Sequence, residues 1–227
     1  MKSELENTLN HLKCLSSSPE REAELEAERV REAKRAKDER YAKIVAKSRL
    51  PMRYATSCQN LVGDVWKGHA RSIARGLGSG LMIAICGNRG TGKTQMATEI
   101  IHVAARRGLS CRYSTAMDFF LELRASFQKS SELTELQVVD AFASPALLVI
   151  DEAQERGESE WHDRMLTMLL DRRYANLRDT ILVTNQLAKA FAASIGDSNL
   201  SRIREMGGVI ELTGESFRTP KRANASD

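Results

Sequence analysis

The run Gly87-Asn88-Arg89-Gly90-Thr91-Gly92-Lys93-Thr94 restricts what this chain can fold into more than any other eight residues in it. It follows the apolar stretch Leu81-Met82-Ile83-Ala84-Ile85-Cys86 and precedes a helical pattern over residues 95–107. A glycine-rich loop between a buried strand and a helix is the setting of a phosphate-binding P-loop. Gly87, Gly90 and Gly92 let the backbone turn tightly and aim N–H groups at phosphate oxygens. The helix start adds positive potential at the same point. Lys93 is the candidate to neutralise β- and γ-phosphates, and the Thr94 hydroxyl is the candidate Mg²⁺ ligand. Asn88, Arg89 and Thr91 complete the candidate nucleotide-binding loop. Every motif position is filled and both flanks are of the right type, which weighs against a glycine-rich turn with an incidental lysine.

A second run, Leu147-Leu148-Val149-Ile150-Asp151-Glu152, reads as a strand buried on both faces that ends in two carboxylates. Asp151 at its carboxyl end can hold Mg²⁺ through the ion's water shell. Glu152 can accept a proton from an attacking water or orient it. A third apolar run, Thr180-Ile181-Leu182-Val183-Thr184, ends at Asn185. The Asn185 amide can hydrogen-bond the water or the γ-phosphate; the alternative is that it caps the next helix. Arg202, in Ser201-Arg202-Ile203-Arg204, and Arg218, in Gly214-Glu215-Ser216-Phe217-Arg218, are either surface charges or groups that stabilise phosphoryl charge from a neighbouring subunit.

The chain has 227 residues, enough for one sizeable α/β core with length to spare. Its four cysteines, Cys14, Cys58, Cys86 and Cys111, form no CxxC or other close ligand pair. Reduced thiols in a cytoplasmic protein are expected. No apolar stretch approaches a membrane span, and the polar, Glu-rich start has no signal-like apolar region.

Residues 20–48 contain neither Pro nor Gly and predict a long, mostly exposed helix after Pro19. Its candidate stripe of Ala23, Ala27, Val30, Lys34, Lys37, Tyr41 and Ile44 is too thin for a stable coiled coil. Charge is segregated along it: Glu20 to Glu32 carries a net −3, and Lys34 to Arg49 a net +5. A solvated helix matched to its own dipole and an arm that docks protein or single-stranded nucleic acid both fit that pattern. Leu50-Pro51-Met52-Arg53-Tyr54 reads as a hinge. Beyond it, the sequence predicts a helix over 61–77, a strand over 110–114 and a helix capped by Thr115. The apolar face of that helix is expected to be Met117, Phe120, Leu121 and Phe127. Further predictions are a helix over 132–142, strands over 146–150 and 180–184, and a helix over 161–174. Two short helices broken near Gly196 and a last strand over 209–212 follow. Strands and helices alternate at βα spacing, so a parallel sheet covered on both faces is expected.

Together these pieces resemble the AAA+ ATPases, specifically the bacterial and phage helicase-loader group of DnaC-like and IstB-like proteins. The resemblance covers about residues 50–220 and rests on Val149-Ile150-Asp151-Glu152, Asp171-Arg172-Arg173-Tyr174, Thr180 to Asn185, Leu200 to Arg204, Gly207-Gly208 and Gly214 to Arg218. The helix around Ala116 to Arg124 is similar as well. It implies a P-loop NTPase core, with a parallel sheet between helices and no C-terminal lid, preceded by a helical arm. The implied division is a partner-binding arm (1–49), an ATPase domain (50–220) and a short polar tail (221–227). By the resemblance Asn185 matches sensor 1, Arg202 the arginine finger, and Arg218 a possible second sensor, with Phe217 standing where the group has Tyr. ATP and Mg²⁺ are the implied ligands. A hexameric replicative DNA helicase, single-stranded DNA and further copies of the chain, assembled in a nucleotide-dependent way, are the implied partners; none is a membrane.

The resemblance therefore implies an ATPase that loads a replicative helicase onto single-stranded DNA. An IstB-like transposition helper, binding DNA and a transposase, is the alternative. A DEAx-box translocating helicase needs two lobes, and this chain has one P-loop. A small-molecule kinase needs a lid and an acceptor pocket, for which Arg106 and Arg107 are weak candidates. No Asn-Lys-x-Asp segment favours guanine.

Overall fold

The computed structural model describes residues 19–56, 64–128, 133–155, 157, 159–214 and 216–217. The polar lead, Cys14, Cys58, Arg218 and the 221–227 tail lie outside the described residues. Helix α1 (Pro19–Lys47) comes first, then a 3-10 turn (Met52–Tyr54) and α2 (Asp64–Gly76). The core continues with β1 (Met82–Cys86), α3 (Lys93–Arg106), β2 (Cys111–Thr115), α4 (Ala116–Ala125), α5 (Glu135–Ala143) and β3 (Leu147–Asp151). A second 3-10 turn (Ala153–Glu155), α6 (Glu160–Ala175), β4 (Asp179–Val183), α7 (Ala188–Ser194), α8 (Asp197–Met206) and β5 (Gly207–Glu211) complete it.

The five strands form one parallel sheet in the order β2-β3-β4-β1-β5. Side chains alternate across it, so each central strand feeds two cores. Met82, Ala84, Cys86, Leu148, Ile150 and Leu182 point to the face covered by α4 to α8. Ile83, Ile85, Leu147, Val149, Ile181 and Val183 point to the face covered by α2, α3 and the end of α1. Every residue of β1, β3 and β4 is buried, which is why these strands are unbroken apolar runs with polar groups only at their ends.

Local signals fix several helix starts. The Thr115 hydroxyl accepts from Asp118 N–H at the start of α4. Thr134 and Gln137 form a reciprocal capping box that starts α5 at Glu135, three residues later than the apolar pattern suggested. Strand bounds differ from the sequence reading by one or two residues.

Two expectations need correction. Met117, Leu121 and Phe127 are 49%, 52% and 57% exposed; the buried face of α4 is Ala116, Phe119, Phe120 and Leu123. Both sets have helical spacing, and α4 turns toward the sheet the one whose rings meet Phe142 of α5. The second concerns the hinge. Ser48, just after α1, is fully buried and its carbonyl accepts from Tyr113 N–H of the edge strand β2 (2.7 Å). Ile44 and Leu50 pack against the core, so the end of α1 is built into the domain. Among the described residues, no helix is long and apolar enough to cross a membrane.

Candidate functional site

Loops from the carboxyl ends of β1, β3 and β4 line one cleft of about 430 Å³. Arg89, Gly90, Gly92, Lys93, Thr94 and Gln95 come from the first, Asp151 and Glu152 from the second, and Asn185 from the third. Ligand sites in open α/β sheets form at this end of the strands.

The glycine loop has its shape for steric reasons. Gly87 has φ 137°, and a Cβ there would collide with the carbonyl of Leu212, which follows β5, the parallel neighbour of β1. Gly90 (φ 86°) lies equally close to Ser216, and the Phe217 N–H donates to the Gly90 carbonyl (3.0 Å). Gly92, left-handed, starts α3 without a side-chain cap. A helix start of this kind offers its first-turn N–H groups and positive potential to an anion. Lys93 is buried, and its Nζ donates to the Asn88 carbonyl (2.6 Å). Thr91 is buried too and donates to the same carbonyl (2.9 Å). Gly87, Asn88 and Thr91 thus frame the loop, whereas Gly90, Gly92, Lys93 and Thr94 reach the cleft surface. Arg89 reaches it as well, with its guanidinium largely exposed and 3.9 Å from Glu155.

Across the cleft, Asp151 is held at both oxygens. Tyr113 donates to Oδ2 (2.8 Å) and the Glu152 N–H to Oδ1 (2.8 Å). Burial, then the Asp151 charge, pushes the Tyr113 hydroxyl far above its ordinary pKa of 10, so it remains a donor. Glu152 sits at φ 54°, a left-handed backbone that costs a non-glycine residue of order 1–3 kcal/mol and collects at functional sites. The Cys86 thiol is pushed up to about 12 by burial and by Glu211, so it stays protonated beside the loop.

Asn185 lines the cleft, and its N–H donates to Gln154 Oε1 (3.0 Å). It does not cap α7: Leu187 occupies the N-cap position, and Glu211 accepts the Ala188 N–H (2.6 Å). Arg202 is not among the residues lining the cleft. It lies on α8, paired with Asp171 (2.7 Å), bonded to Ser198 and 5.6 Å from the Tyr174 ring centroid.

Sequence reasoning missed four contributors. Arg53, Tyr54 and Phe217 line the cleft from distant segments, and Tyr113 orients Asp151 from the neighbouring strand. The one available signal was Phe217, an aromatic beside the late arginine. The donor set fits a magnesium-bound triphosphate: an ammonium, a hydroxyl and two carboxylates around a cleft floored by a glycine loop.

The chain is similar to several known proteins. DnaC, a replicative helicase loader of Buchnera aphidicola (subsp. Acyrthosiphon pisum), is 29% identical over 140 residues, 61% of this chain and 56% of that protein. The Escherichia coli K12 replicative helicase loader DnaC is 29% identical over 118 residues, 52% of this chain and 48% of the relative. The chain thus spans about half the length of the curated relatives it matches. A crystal structure of the DnaC helicase loader superposes with a TM-score of 0.61 at 18% identity, covering 72% of this chain and 100% of that one. The replication initiator DnaA, bound to AMPPCP and single-stranded DNA, superposes at 0.62 and 24%, covering 74% and 52%. The fold is therefore an AAA+-like α/β sheet with a helical arm. Residues 80–225, well over half of the chain, match the description "IstB-like ATP binding protein", and the chain belongs to that family.

Proposed function

We propose that the chain is an ATP- and Mg²⁺-dependent ATPase that binds a hexameric replicative helicase and loads it onto single-stranded DNA. The observation that carries this reading is the single cleft shared by Lys93, Thr94, Asp151, Glu152 and Asn185, in a chain similar to proteins named replicative helicase loaders. Lys93 and the loop N–H groups hold the β- and γ-phosphates. Thr94 and Asp151 hold the metal, with Tyr113 fixing the carboxylate of Asp151. Bound Mg²⁺ supplies charge neutralisation across those phosphates. Glu152 orients the attacking water and accepts its proton, and Asn185 holds that water or the γ-phosphate. Arg202 lies outside the cleft of its own chain, which suits a finger delivered to the neighbouring subunit. Arg218 remains a candidate second sensor.

Site occupancy then couples subunit packing to the helicase and DNA, and hydrolysis removes the group that both subunits grip. The arm over residues 1–49 docks the helicase, the domain over 50–220 carries the chemistry, and a cytoplasmic site of action follows from those partners. Native mass measurement of the full chain mixed with the host helicase, with and without ATP, tests the proposal. A stable complex is expected. No complex in either condition removes the loader reading and leaves the second one, a transposition helper, which the family match favours. A footprint on duplex DNA and a pull-down with transposase identify that case.

A further inference from the structure

A chain of hydrogen bonds runs from α1 through α3 to the cleft wall. The Tyr41 hydroxyl lies 2.9 Å from His102 Nδ1, and His102 Nε2 lies 2.9 Å from the Tyr54 carbonyl. A carbonyl only accepts, so Nε2 carries the hydrogen, and in that tautomer Nδ1 accepts from the Tyr41 hydroxyl. His102 is fully buried, and both of its nitrogens are satisfied by this one arrangement. The end of α1 is clamped beside it: Arg40 donates to the Gly108 carbonyl (2.8 Å), and Arg106 sits 5.2 Å from the Tyr41 ring centroid.

Tyr54 belongs to a single 3-10 turn, and the His102 bond fastens that turn to the body of the domain. His102 is nine residues along α3 from Lys93, about 14 Å up the axis, so this link is separate from the phosphate loop. The cleft has two kinds of lining. Gly90, Gly92, Lys93 and Thr94 with Asp151 and Glu152 suit phosphate and metal, whereas Arg53, Tyr54 and Phe217 offer two rings and a cation. Ring faces suit a flat heterocycle.

We infer that Tyr41 and His102 are positioning residues that, by holding the Tyr54 carbonyl, set the cleft wall against the nucleoside end of the ligand and make the docked end of α1 part of the binding site. The inference rests on the nucleotide reading above. It follows that α1 and the nucleotide influence each other in both directions.

Calorimetry on the full chain separates the two ends of the site, with Mg²⁺-ATP and Mg²⁺-tripolyphosphate as probes. Tyr41→Phe keeps the ring and leaves Nδ1 of a buried imidazole unpaired. It is expected to weaken ATP binding about fivefold and to leave tripolyphosphate within about twofold. His102→Gln, which keeps a donor for the Tyr54 carbonyl, is expected to bind ATP more tightly than His102→Leu. Should His102→Leu fail to fold, Tyr41→Phe decides. Equal weakening of both probes, or no change in either, overturns the inference while the nucleotide site stands. A wild-type chain that binds neither probe overturns the nucleotide reading and this inference with it.

Discussion

The two ends of the parallel sheet hold buried charges in opposite ways. At the amino end, Arg173 of α6 is fully buried, and its guanidinium donates to the carbonyls of Phe142, Ala143, Pro145 and Asp179 and to the Thr180 hydroxyl. Beside it the Asp179 carboxylate accepts from the N–H groups of Gly78, Gly80 and Leu81 (2.6, 3.0 and 2.9 Å). Burial, only partly offset by the Asp179 charge, pulls the Arg173 guanidinium down to about 9, so it is still cationic at neutral pH. At the carboxyl end, Lys93 and Asp151 are equally buried, but they border an open cleft. A buried charge must be satisfied or it is strongly destabilising. One end does this largely with backbone and thereby ties three connections together, α2–β1, α5–β3 and α6–β4. The other bonds its charges too, Lys93 to the Asn88 carbonyl and Asp151 to Tyr113 and the Glu152 N–H, but sets them against a cleft.

That contrast predicts that damage at the two ends separates into stability and activity. The largest effect belongs to Arg173→Met, which strips the partners from four carbonyls and removes a cation that interacts with the buried Asp179. A loss of about 3–5 kcal/mol is expected in denaturant titrations, with ATP turnover per folded molecule unchanged. Wild-type stability in this variant would show that the amino end is not a structural clamp. Next comes Lys93→Ala, expected to weaken ATP binding at least about 100-fold while the unfolding midpoint barely moves. Intact ATPase activity would sink the site assignment.

Arg202 sharpens the comparison, because it belongs to neither end. Its pairing with Asp171 is partly exposed and worth at most about 1 kcal/mol. Arg202→Ala should therefore leave folding and ATP binding alone and cut turnover about tenfold or more, only at concentrations where subunits assemble. Mixing Arg202→Ala with Lys93→Ala should restore part of the turnover, since one junction then holds both intact residues. A mixture no more active than its components would remove the shared site.

How much of this was readable depends on whether the partners are neighbours in sequence. The P-loop, Asp151-Glu152 and the strand ending at Asn185 could be read because each motif is local and each strand is apolar on both faces. Arg53 and Tyr54 could not, since they reach the cleft from outside the glycine loop and carry no motif of their own, and Phe217 could be read only as a departure within the late Gly214 to Arg218 segment. The face of α4 was misread because Met117-Leu121 and Phe119-Leu123 have the same spacing, and only contact with α5 and the sheet separates them. Arg173 could be read only as part of the Asp171-Arg172-Arg173-Tyr174 segment, with nothing to mark it as buried. Its burial follows from carbonyls contributed by the loop after α5, about thirty residues earlier, which no local pattern announces.

The smallest effect is expected at His162, a buried titratable group with no counter-ion bonded to it among the described residues. Its Nδ1 lies 2.6 Å from Ser159 Oγ and its Nε2 3.2 Å from Arg124 Nη2, with the Phe120 and Trp161 rings packed around it. Burial lowers its pKa from the ordinary 6.5, Arg124 lowers it further, and Asp163 opposes them. The folded chain thus holds the ring neutral at a pH where the unfolded chain has begun to protonate it. Between the depressed folded value and 6.5 the unfolded state binds more protons, so stability falls as pH drops through that window. His162→Gln lacks this titration. The melting temperature of the wild type minus that of His162→Gln should fall by roughly 2 °C between neutral and mildly acidic pH. A difference that stays flat would show that the imidazole titrates alike in both states, and that neutrality is not how the fold tolerates it beside Arg124.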